Sequence, residues 1–488
     1  MLLPRVISLS TDRNLLYDGT RYIFSSHHLG GLSLNNTNNE EPSSLQKKLL
    51  PRHISFMAMG GVIGTGIFKG SAETVGIAGP GVIFSYIFAG LLLLVVMSAI
   101  AEMATIYKGK NMKEFIREAF GERFSFVIGW LYCFMWLSVC VIEIIAAGSF
   151  LQYWMPEVPL WLLSLACAAF IIIINTMSVG GYGEFEFWLA GIKIAMIIVF
   201  IVLGVCILFG IIPGTNSPML HNFTGNGGFF PNGWTAIFSA LLVVMFSYGG
   251  SELIGLTLSE TQDAEKVLPR VVKSFILRVI LFYTLPILII CGLVPWNSLN
   301  EHTSPFVQVL TSAGLQGAAH LINFILITAV LSAANSGIYG ATRMLHSMAK
   351  DGEAPAALGR LSKKGVPINS LKLSGIVLIA GSMIAYLTQE GLFRLLMAVP
   401  GFVVILVWIS ICMAQFKLRR TYPHEPGFKV WGYPYITLIT IFCLSLIALM
   451  FIFDAQNRIS IGVCLGVLFI LIIYSFLKFR TSNKRTSS

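Results

Sequence analysis

The chain has 488 residues, of which 56% are hydrophobic and only 11% are charged. Because soluble domains carry about 25% charged residues, this composition excludes an ordinary soluble protein. The net charge of +10 does not indicate a nucleic-acid partner, since most Lys and Arg residues lie in short segments that the order of the apolar runs predicts to be cytoplasmic.

A polar segment precedes the apolar runs, and we predict that residues 1–45 form a disordered cytoplasmic tail. Twelve runs follow, each long enough to cross a hydrocarbon core about 30 Å thick. Because lipid offers the backbone no hydrogen bonds, the runs are predicted to be helices. The predicted spans are 54–75, 80–104, 125–154, 160–178, 187–211, 235–259, 272–294, 318–345, 371–388, 392–416, 434–454 and 459–478. Residues 479–488 are predicted to be a second cytoplasmic tail.

Charged and apolar side chains alternate along residues 105–124, between the second and third spans. This pattern predicts an amphipathic helix on the inner membrane face. The outer segment 211–234 is rich in Gly, Pro and Asn and is predicted to be a loop.

The sequence carries no recognisable set of catalytic residues. Its His residues are scattered, and neither an HExxH nor a GxSxG motif is present. The Cys residues lie in or beside apolar runs without a Cys-x-x-Cys spacing, which argues against disulfides or zinc. The paired acids Glu184 and Glu186 are predicted to lie at a cytoplasmic span end. We therefore predict a protein that is not an enzyme and needs no cofactor or metal.

Two spans contain glycines at mid-membrane, where each costs roughly 1 kcal/mol relative to Ala in a helix. The first span carries Gly60-Gly61 and two further glycines, and the sixth carries Gly249-Gly250. Gly-interrupted segments at matching places in two halves indicate inverted repeats with a substrate site between them. We predict one repeat over about 54–211, a second over about 235–416, and two extra helices over about 434–478.

The first break is suited to bind an anion. Unwinding frees backbone N–H groups at the positive end of a half-helix dipole. Gly64 and Gly66 let a ligand approach the backbone, and Thr65 adds a hydroxyl. The alternative is that these glycines serve close helix packing through GxxxG pairs.

The second break offers the opposite chemistry. Carbonyl groups of the half-helix that ends near Ser247–Gly249 are expected to accept hydrogen bonds from an ammonium group. Phe246 and Tyr248 are candidates to cover the ligand, although Phe246 also suits an ordinary core position.

Charged residues inside a membrane are costly and mark functional sites. Lys193, a third of the way into the fifth span, is a candidate to load and release a proton, with snorkelling to the inner surface as the alternative. Glu143 is central in the third span and is expected to pair with a buried cation, bond the backbone or bind substrate. Glu252, just after the second break, suits a structural or gating role as well as substrate contact.

Other polar residues in the spans are less informative. Ser332, Asn335 and Ser336 form a stripe on the eighth span that either lines the pathway or bridges helices. Glu102 suits a stabilising partner. Lys69 is close enough to the outer face to snorkel.

Three motifs together resemble the amino-acid permeases of the amino acid–polyamine–organocation superfamily, most of all its amino acid transporter family. They are Gly60–Phe68 (GGVIGTGIF), Phe246–Glu252 (FSYGGSE) and Ser336–Leu345 (SGIYGATRML). The resemblance implies an all-α membrane protein with the leucine-transporter fold: five plus five inverted spans, two added helices, and helices 1 and 6 broken. It also implies that Ile63 to Gly66 receive a substrate carboxylate, that carbonyls near Phe246–Gly249 receive the ammonium, and that Lys193 carries a coupling proton.

From these features we expect a proton-coupled importer of amino acids at the plasma membrane, with neutral side chains favoured and both termini cytoplasmic. The alternatives are an exchanger and a carrier of cationic amino acids, γ-aminobutyrate or polyamines; a receptor that binds without transport is a different class. The expected partners are an amino-acid substrate, protons and the lipid bilayer, with a monomer favoured and no nucleic acid.

Overall fold

The computed structural model describes residues 63–177, 179–212, 221–257, 264–299, 303–387, 392–454 and 457–485, and these residues are helical or irregular with no β-strand. All of them belong to one unit, Glu41–Ser488. The predicted tail over 1–45 and the glycine pair Gly60-Gly61 lie outside the described residues.

The helices follow one another with short connections. In the first half they are α1 (Thr65–Phe68), α2 (Gly70–Ala78), α3 (Val82–Ile106), α4 (Met112–Phe120), α5 (Glu122–Leu151), α6 (Leu160–Ile174), α7 (Val179–Leu208) and α8 (His221–Thr224). In the second half they are α9 (Thr235–Tyr248), α10 (Ile254–Thr257), α11 (Ala264–Lys273), α12 (Phe275–Val279), α13 (Leu285–Leu293), α14 (Pro305–Ser312), α15 (Gln316–Lys350), α16 (Ile368–Leu387), α17 (Leu392–Leu418), α18 (Tyr435–Phe453) and α19 (Arg458–Arg485).

Within the described ranges, eight helices are long and apolar enough to cross a membrane, or nine if the bent pair formed by α11 and the segment Leu277–Leu293 is one span. One of the eight, Gly70–Ile106, joins α2 and α3 through a 3₁₀ turn and has 37 residues, well above the roughly 20 that one crossing needs. Two shorter apolar helices, Leu160–Ile174 and Ile368–Met383, lie where spans are predicted. The molecule is a multi-pass helical membrane protein, while twelve spans and an inverted repeat stay predictions.

The sixth predicted span is interrupted at the predicted place. Helix α9 ends at Tyr248, and Gly250 has φ of 114°, a conformation that glycine adopts without steric cost. A 3₁₀ turn over Ser251–Leu253 then leads into α10. In the first span, α1 and α2 are separated at Lys69 (φ −124°, ψ −44°).

The core is built around α5. This helix packs against α15, α6, α17 and α16, and α9 packs against α2, α3 and α17. The two interrupted segments, α1 and α9, contact each other and α1 also contacts α5.

The amphipathic segment after α3 forms the short helix α4. Asn111 caps it, and the Asn111 side chain and Glu114 exchange the reciprocal bonds of a capping box. The side chains of Met112, Phe115 and Ile116 are buried, and α4 packs against α5 and α17. The apolar face of α4 is thus covered by protein.

Candidate functional site

A small cavity lies at the centre of the bundle, beside both interrupted segments. Its volume is about 20 Å³, room for about one water molecule. Its lining combines glycines of the two breaks with one face of α5 and the middle of α17: Gly64, Gly66, Met135, Trp136, Val139, Glu143, Phe246, Gly249, Gly250, Pro400 and Val404.

Helix α5 supplies the charged group of this cavity. Trp136, Val139 and Glu143 follow one another at spacings of three and four residues, which places them on one helix face. Glu143 is only 3% exposed, and a buried carboxylate needs hydrogen-bond donors or a positive partner.

Thr65 at the start of α1 provides these donors. Its backbone N–H donates to both carboxylate oxygens of Glu143 (3.1 and 3.2 Å), and its hydroxyl donates to Oε1 (2.9 Å). Gly64 makes the approach possible, because a Cβ there would lie 2.5 Å from Glu143 Oε1. The sequence analysis expects the amide of Thr65 to bind a substrate carboxylate. In the structure, this amide donates instead to a carboxylate of the protein itself.

The second break is held by another internal carboxylate. Glu252 is fully buried, and it accepts the backbone N–H of Gly250 at 3.1 Å and the indole N–H of Trp408 at 3.2 Å. The backbone turns to a left-handed conformation at Gly250, and Glu252 provides the hydrogen-bond acceptor that the amide of Gly250 needs there. Of the roles suggested for Glu252, these contacts favour the structural one.

Several carbonyls at the end of α9 already have donors. The carbonyl of Phe246 accepts the N–H of Gly249 at 3.1 Å, and that of Ser247 accepts the hydroxyl of Tyr283 at 3.0 Å. Within the part of the chain that the structure describes, the carbonyls of Tyr248 and Gly249 accept no hydrogen bond. Of these two residues, Gly249 lines the central cavity.

Tyr248 itself points into the protein. Its hydroxyl donates to the carbonyl of Tyr86 at 3.0 Å, and its ring lies 4.5 Å from the ring of Tyr283 between centroids. Of the two aromatic candidates at this break, Phe246 lines the cavity and Tyr248 braces α9 against α3.

The two interrupted segments touch through a glycine. A Cβ on Gly66 would lie 2.5 Å from the Cα of Ser247, which is a backbone atom that a side-chain rotation does not move. Glycine at position 66 thus sets the distance between α1 and α9.

Lys193, in the middle of α7, is fully buried. Its ammonium donates to the carbonyl of Ile63 at 3.1 Å and to that of Ala329 at 3.4 Å. Since Ile63 precedes Gly64 in the non-helical entry to α1, this lysine binds the backbone next to the site. Glu143 and Glu186 are the acidic groups whose charges act on it.

Glu186 was expected at a cytoplasmic span end, and that expectation was wrong. It lies seven residues into α7 and is fully buried. Its carboxylate accepts hydrogen bonds from the hydroxyl of Ser332 and from the side-chain amide of Asn335 (3.1 Å). The polar stripe of α15 therefore bridges helices, with Asn175 of the segment after α6 donating to Asn335 at 2.7 Å.

A second cavity of about 380 Å³ lies among α2, α9, α17 and α18. Met397 lines it and packs against Phe246, which lines the central cavity. Ile142 of α5 completes this apolar contact. A thin layer of side chains thus separates the two cavities.

The structure brings most of the predicted site residues together. Gly64, Gly66, Glu143, Phe246 and Gly249 line the central cavity, and Ile63, Thr65, Ser247, Tyr248 and Lys193 surround it through the contacts above. The lining residues that the sequence analysis missed are Met135, Trp136, Val139, Pro400 and Val404, whereas Gly250 belongs to the glycine pair of the second break. For Trp136 and Val139, the spacing from Glu143 on α5 was an available signal.

Comparison with known proteins agrees with this arrangement. A family model described as amino acid permease matches residues 53–487. The γ-aminobutyric acid permease of Bacillus subtilis (strain 168) is 36% identical over 449 residues, covering 91% of this chain and 95% of that protein. From the same organism, the amino-acid permease RocC is 36% identical over 448 residues (89% of this chain, 94% of RocC), and the uncharacterised amino acid permease YvbW is 37% identical over 436 residues (89% and 97%).

These relatives are transporters rather than enzymes, and the similarity spans nearly the whole chain. The interrupted helices, the buried charges and the apolar helices are features of a membrane carrier. The chain belongs to the amino acid permease family.

Proposed function

We propose that the protein imports amino acids across the plasma membrane by proton symport with alternating access, and that it favours neutral side chains. The observation that carries the proposal is the hydrogen bonding of Glu143 to Thr65, next to the backbone carbonyl that Lys193 binds. The preference for neutral side chains is supported by the apolar lining that Met135, Val139 and other residues give the central cavity.

A zwitterionic substrate fits the site by an exchange of partners. The substrate carboxylate replaces that of Glu143 at the Thr65 amide, where the half-helix dipole favours an anion. The substrate ammonium then lies between the released Glu143 and the carbonyls of Tyr248 and Gly249. Because the central cavity holds only about 20 Å³, the surrounding helices separate when substrate enters.

This exchange provides a physical basis for proton coupling. It places two carboxylates, one from the substrate and one from Glu143, close together in a medium of low dielectric constant, and the single substrate ammonium offsets only one of them, so a second positive charge is needed. Protonated Lys193, bound to the Ile63 carbonyl, is that charge. Substrate binding and protonation of Lys193 then favour each other by thermodynamic reciprocity.

The proposal includes the architecture that the sequence predicts. It has twelve spans in a five-plus-five inverted repeat with two added helices, cytoplasmic termini and a monomeric unit in the lipid bilayer. The cavity that Met397 borders is the outer compartment, and Phe246 and Met397 separate to admit substrate. α19 continues to Arg485, through most of the segment predicted to be a C-terminal tail.

A second candidate is transport of γ-aminobutyrate or of cationic amino acids. It is favoured by the 36% identity to a γ-aminobutyric acid permease and by Glu143, an acidic group in the site. Competition by γ-aminobutyrate, arginine and neutral amino acids against one labelled substrate distinguishes the candidates.

The test is uptake of a radiolabelled mixture of the twenty amino acids into proteoliposomes with an imposed inward proton gradient. Accumulation above equilibrium that an uncoupler abolishes is the expected result. Uptake only after preloading with amino acid would instead indicate an exchanger, and binding without uptake would indicate a receptor.

A further inference from the structure

The proposed mechanism uses Glu143 and Lys193, and it leaves one buried acidic group in the same region without a role. Glu186 has no exposed surface, although an ionised side chain inside a membrane costs several kcal/mol unless it is compensated. It lies seven residues before Lys193 on α7, two helical turns away on nearly the same face.

The contacts of Glu186 stabilise its ionised form. Ser332 Oγ donates to Oε1 and Asn335 Nδ2 donates to Oε2, so both oxygens act as acceptors, as in a carboxylate. The orientation of Asn335 is fixed from its other side, because its Oδ1 accepts the amide of Asn175. Two neutral donors satisfy the oxygens without neutralising the charge.

We propose that Glu186 is a positioning residue for the coupling proton: its fixed negative charge, held by Ser332 and Asn335, keeps the proton on Lys193 while that ammonium binds the Ile63 carbonyl. The inference rests on the proposed role of Lys193. It assigns the two buried acids different tasks, since Glu143 changes partners with the substrate and Glu186 stays in place.

The other charged and titratable groups around Glu186 and Lys193 are consistent with separate tasks for Glu143 and Glu186. From α5, Glu143 binds Thr65, two residues along the chain from Ile63, whose carbonyl binds Lys193. On the other side of Glu186 are Tyr182 of α7 and, from α15, Tyr339, whose rings stack at 4.1 Å, with the Arg343 guanidinium 3.8 Å from the Tyr339 ring centroid. Glu186 thus separates the cation at the site from the cation nearer the end of α15.

The size of the effect follows from the separation. Seven residues of helix rise about 10 Å, and at an effective dielectric constant of about 20 a unit charge at that distance changes a proton equilibrium by about one pH unit. Removal of the Glu186 charge therefore lowers the pH at which gradient-driven uptake is half-maximal by about one unit.

The experiment measures this pH midpoint in proteoliposomes for wild type, Glu186→Gln, Glu186→Asp and Ser332→Ala. Glu186→Gln is expected to shift the pH midpoint to lower pH. Glu186→Asp is expected to have a midpoint within a few tenths of a pH unit of wild type. Ser332→Ala is expected to reduce the uptake rate and to shift the midpoint by less than Glu186→Gln does. Size-exclusion chromatography in detergent checks that each variant is folded.

Two outcomes overturn the proposal. In one, Glu186→Gln transports with the wild-type midpoint. In the other, Glu186→Asp, which keeps the charge, or Ser332→Ala shifts the midpoint as far as Glu186→Gln does. If Glu186→Gln does not fold, Glu186→Ala, which also removes the charge, takes its place in the comparison with Glu186→Asp. Failure of the proposed function looks different, because wild type itself would then show no dependence on the proton gradient.

Discussion

Glu143 on α5 accepts three hydrogen bonds from Thr65 at the start of α1, at 2.9 to 3.2 Å. The contact joins residues 78 positions apart and occupies the amide that an amino-acid carboxylate would use. At the other break, the carboxylate of Glu252 holds the amide of Gly250 in the same manner. Each interruption is thus closed by an acid of the protein, but only the acid at the first break lines the central cavity.

Replacement of Glu143 by Gln tests the exchange of partners. The neutral amide removes one of the two carboxylates that the Lys193 proton offsets, so substrate affinity should lose most of its dependence on pH. Equilibrium binding of labelled substrate to purified protein between pH 5 and 8 measures this. Glu252→Gln is the matched control, since it also neutralises a buried acid at a break. A pH dependence unchanged in Glu143→Gln would show that this carboxylate is not linked to the proton.

Gly66→Ala tests the close contact between α1 and α9. Its Cβ would lie 2.5 Å from the Cα of Ser247, so the two segments must move apart. We expect loss of uptake and a lower midpoint of thermal unfolding in detergent. Gly76→Ala in α2 is the control, because nothing lies within 4 Å of its Cβ and Ala favours a helix over Gly by roughly 1 kcal/mol. Equal effects of the two substitutions would refute the packing argument.

Phe246→Ala tests the layer between the two cavities. Loss of the ring removes its contacts with Met397 and Ile142 and removes part of the layer between the central cavity and the larger one. We expect substrate binding weaker by about tenfold to a hundredfold, since a large buried side chain contributes about 1.5–3 kcal/mol. Phe442→Ala, at a ring that is 67% exposed, should leave the KM of uptake unchanged. A wild-type KM in Phe246→Ala would argue against its covering the ligand.

A prediction on stability concerns Lys113, which is 2% exposed and lies 2.5 Å from Asp351 Oδ2 and 2.7 Å from Glu353 Oε2. Burial raises the pKa of the Glu353 carboxyl, so this acid depends on the lysine for its charge. Lys113→Met should destabilise the protein by about 3–5 kcal/mol, because it leaves a buried charge without its partner.

Lys110→Met is the control for this prediction, since the ion pair of Lys110 with Glu118 is exposed and contributes under about 1 kcal/mol. Thermal unfolding in detergent compares the two variants, and adding Glu353→Gln to Lys113→Met should recover part of the loss. If both lysine variants unfold at the same temperature, the ion pairs of Lys113 with Asp351 and Glu353 do not stabilise the protein.

The sequence was sufficient to find the break in the sixth span and two of the buried charges. Glycine is costly inside a helix and charge is costly inside a membrane, so Gly64, Gly249, Glu143 and Lys193 could be recognised without any contact. The partners could not be found in this way. The sequence left three kinds of partner open for Glu143: a buried cation, the backbone or the substrate. Its contact with Thr65 depends on how α5 packs against α1.

Glu186 shows the limit of hydropathy most clearly. Its apolar run begins at Phe187, so the acid was assigned to the span end, whereas the helix begins at Val179. Burial of this acid is compensated by Ser332 and Asn335, about 146 to 149 residues away. A polar stripe on one span and an acid near the start of another are each ambiguous alone, and only packing joins them.

The central claim is that the proton on Lys193 drives accumulation. Its most direct test compares wild type with Lys193→Ala in proteoliposomes, measuring both accumulation under an inward proton gradient and exchange between labelled external and unlabelled internal substrate. We predict that wild type accumulates substrate above equilibrium, whereas Lys193→Ala reaches equilibrium only and retains part of the exchange. Accumulation to the wild-type level in Lys193→Ala would contradict the account.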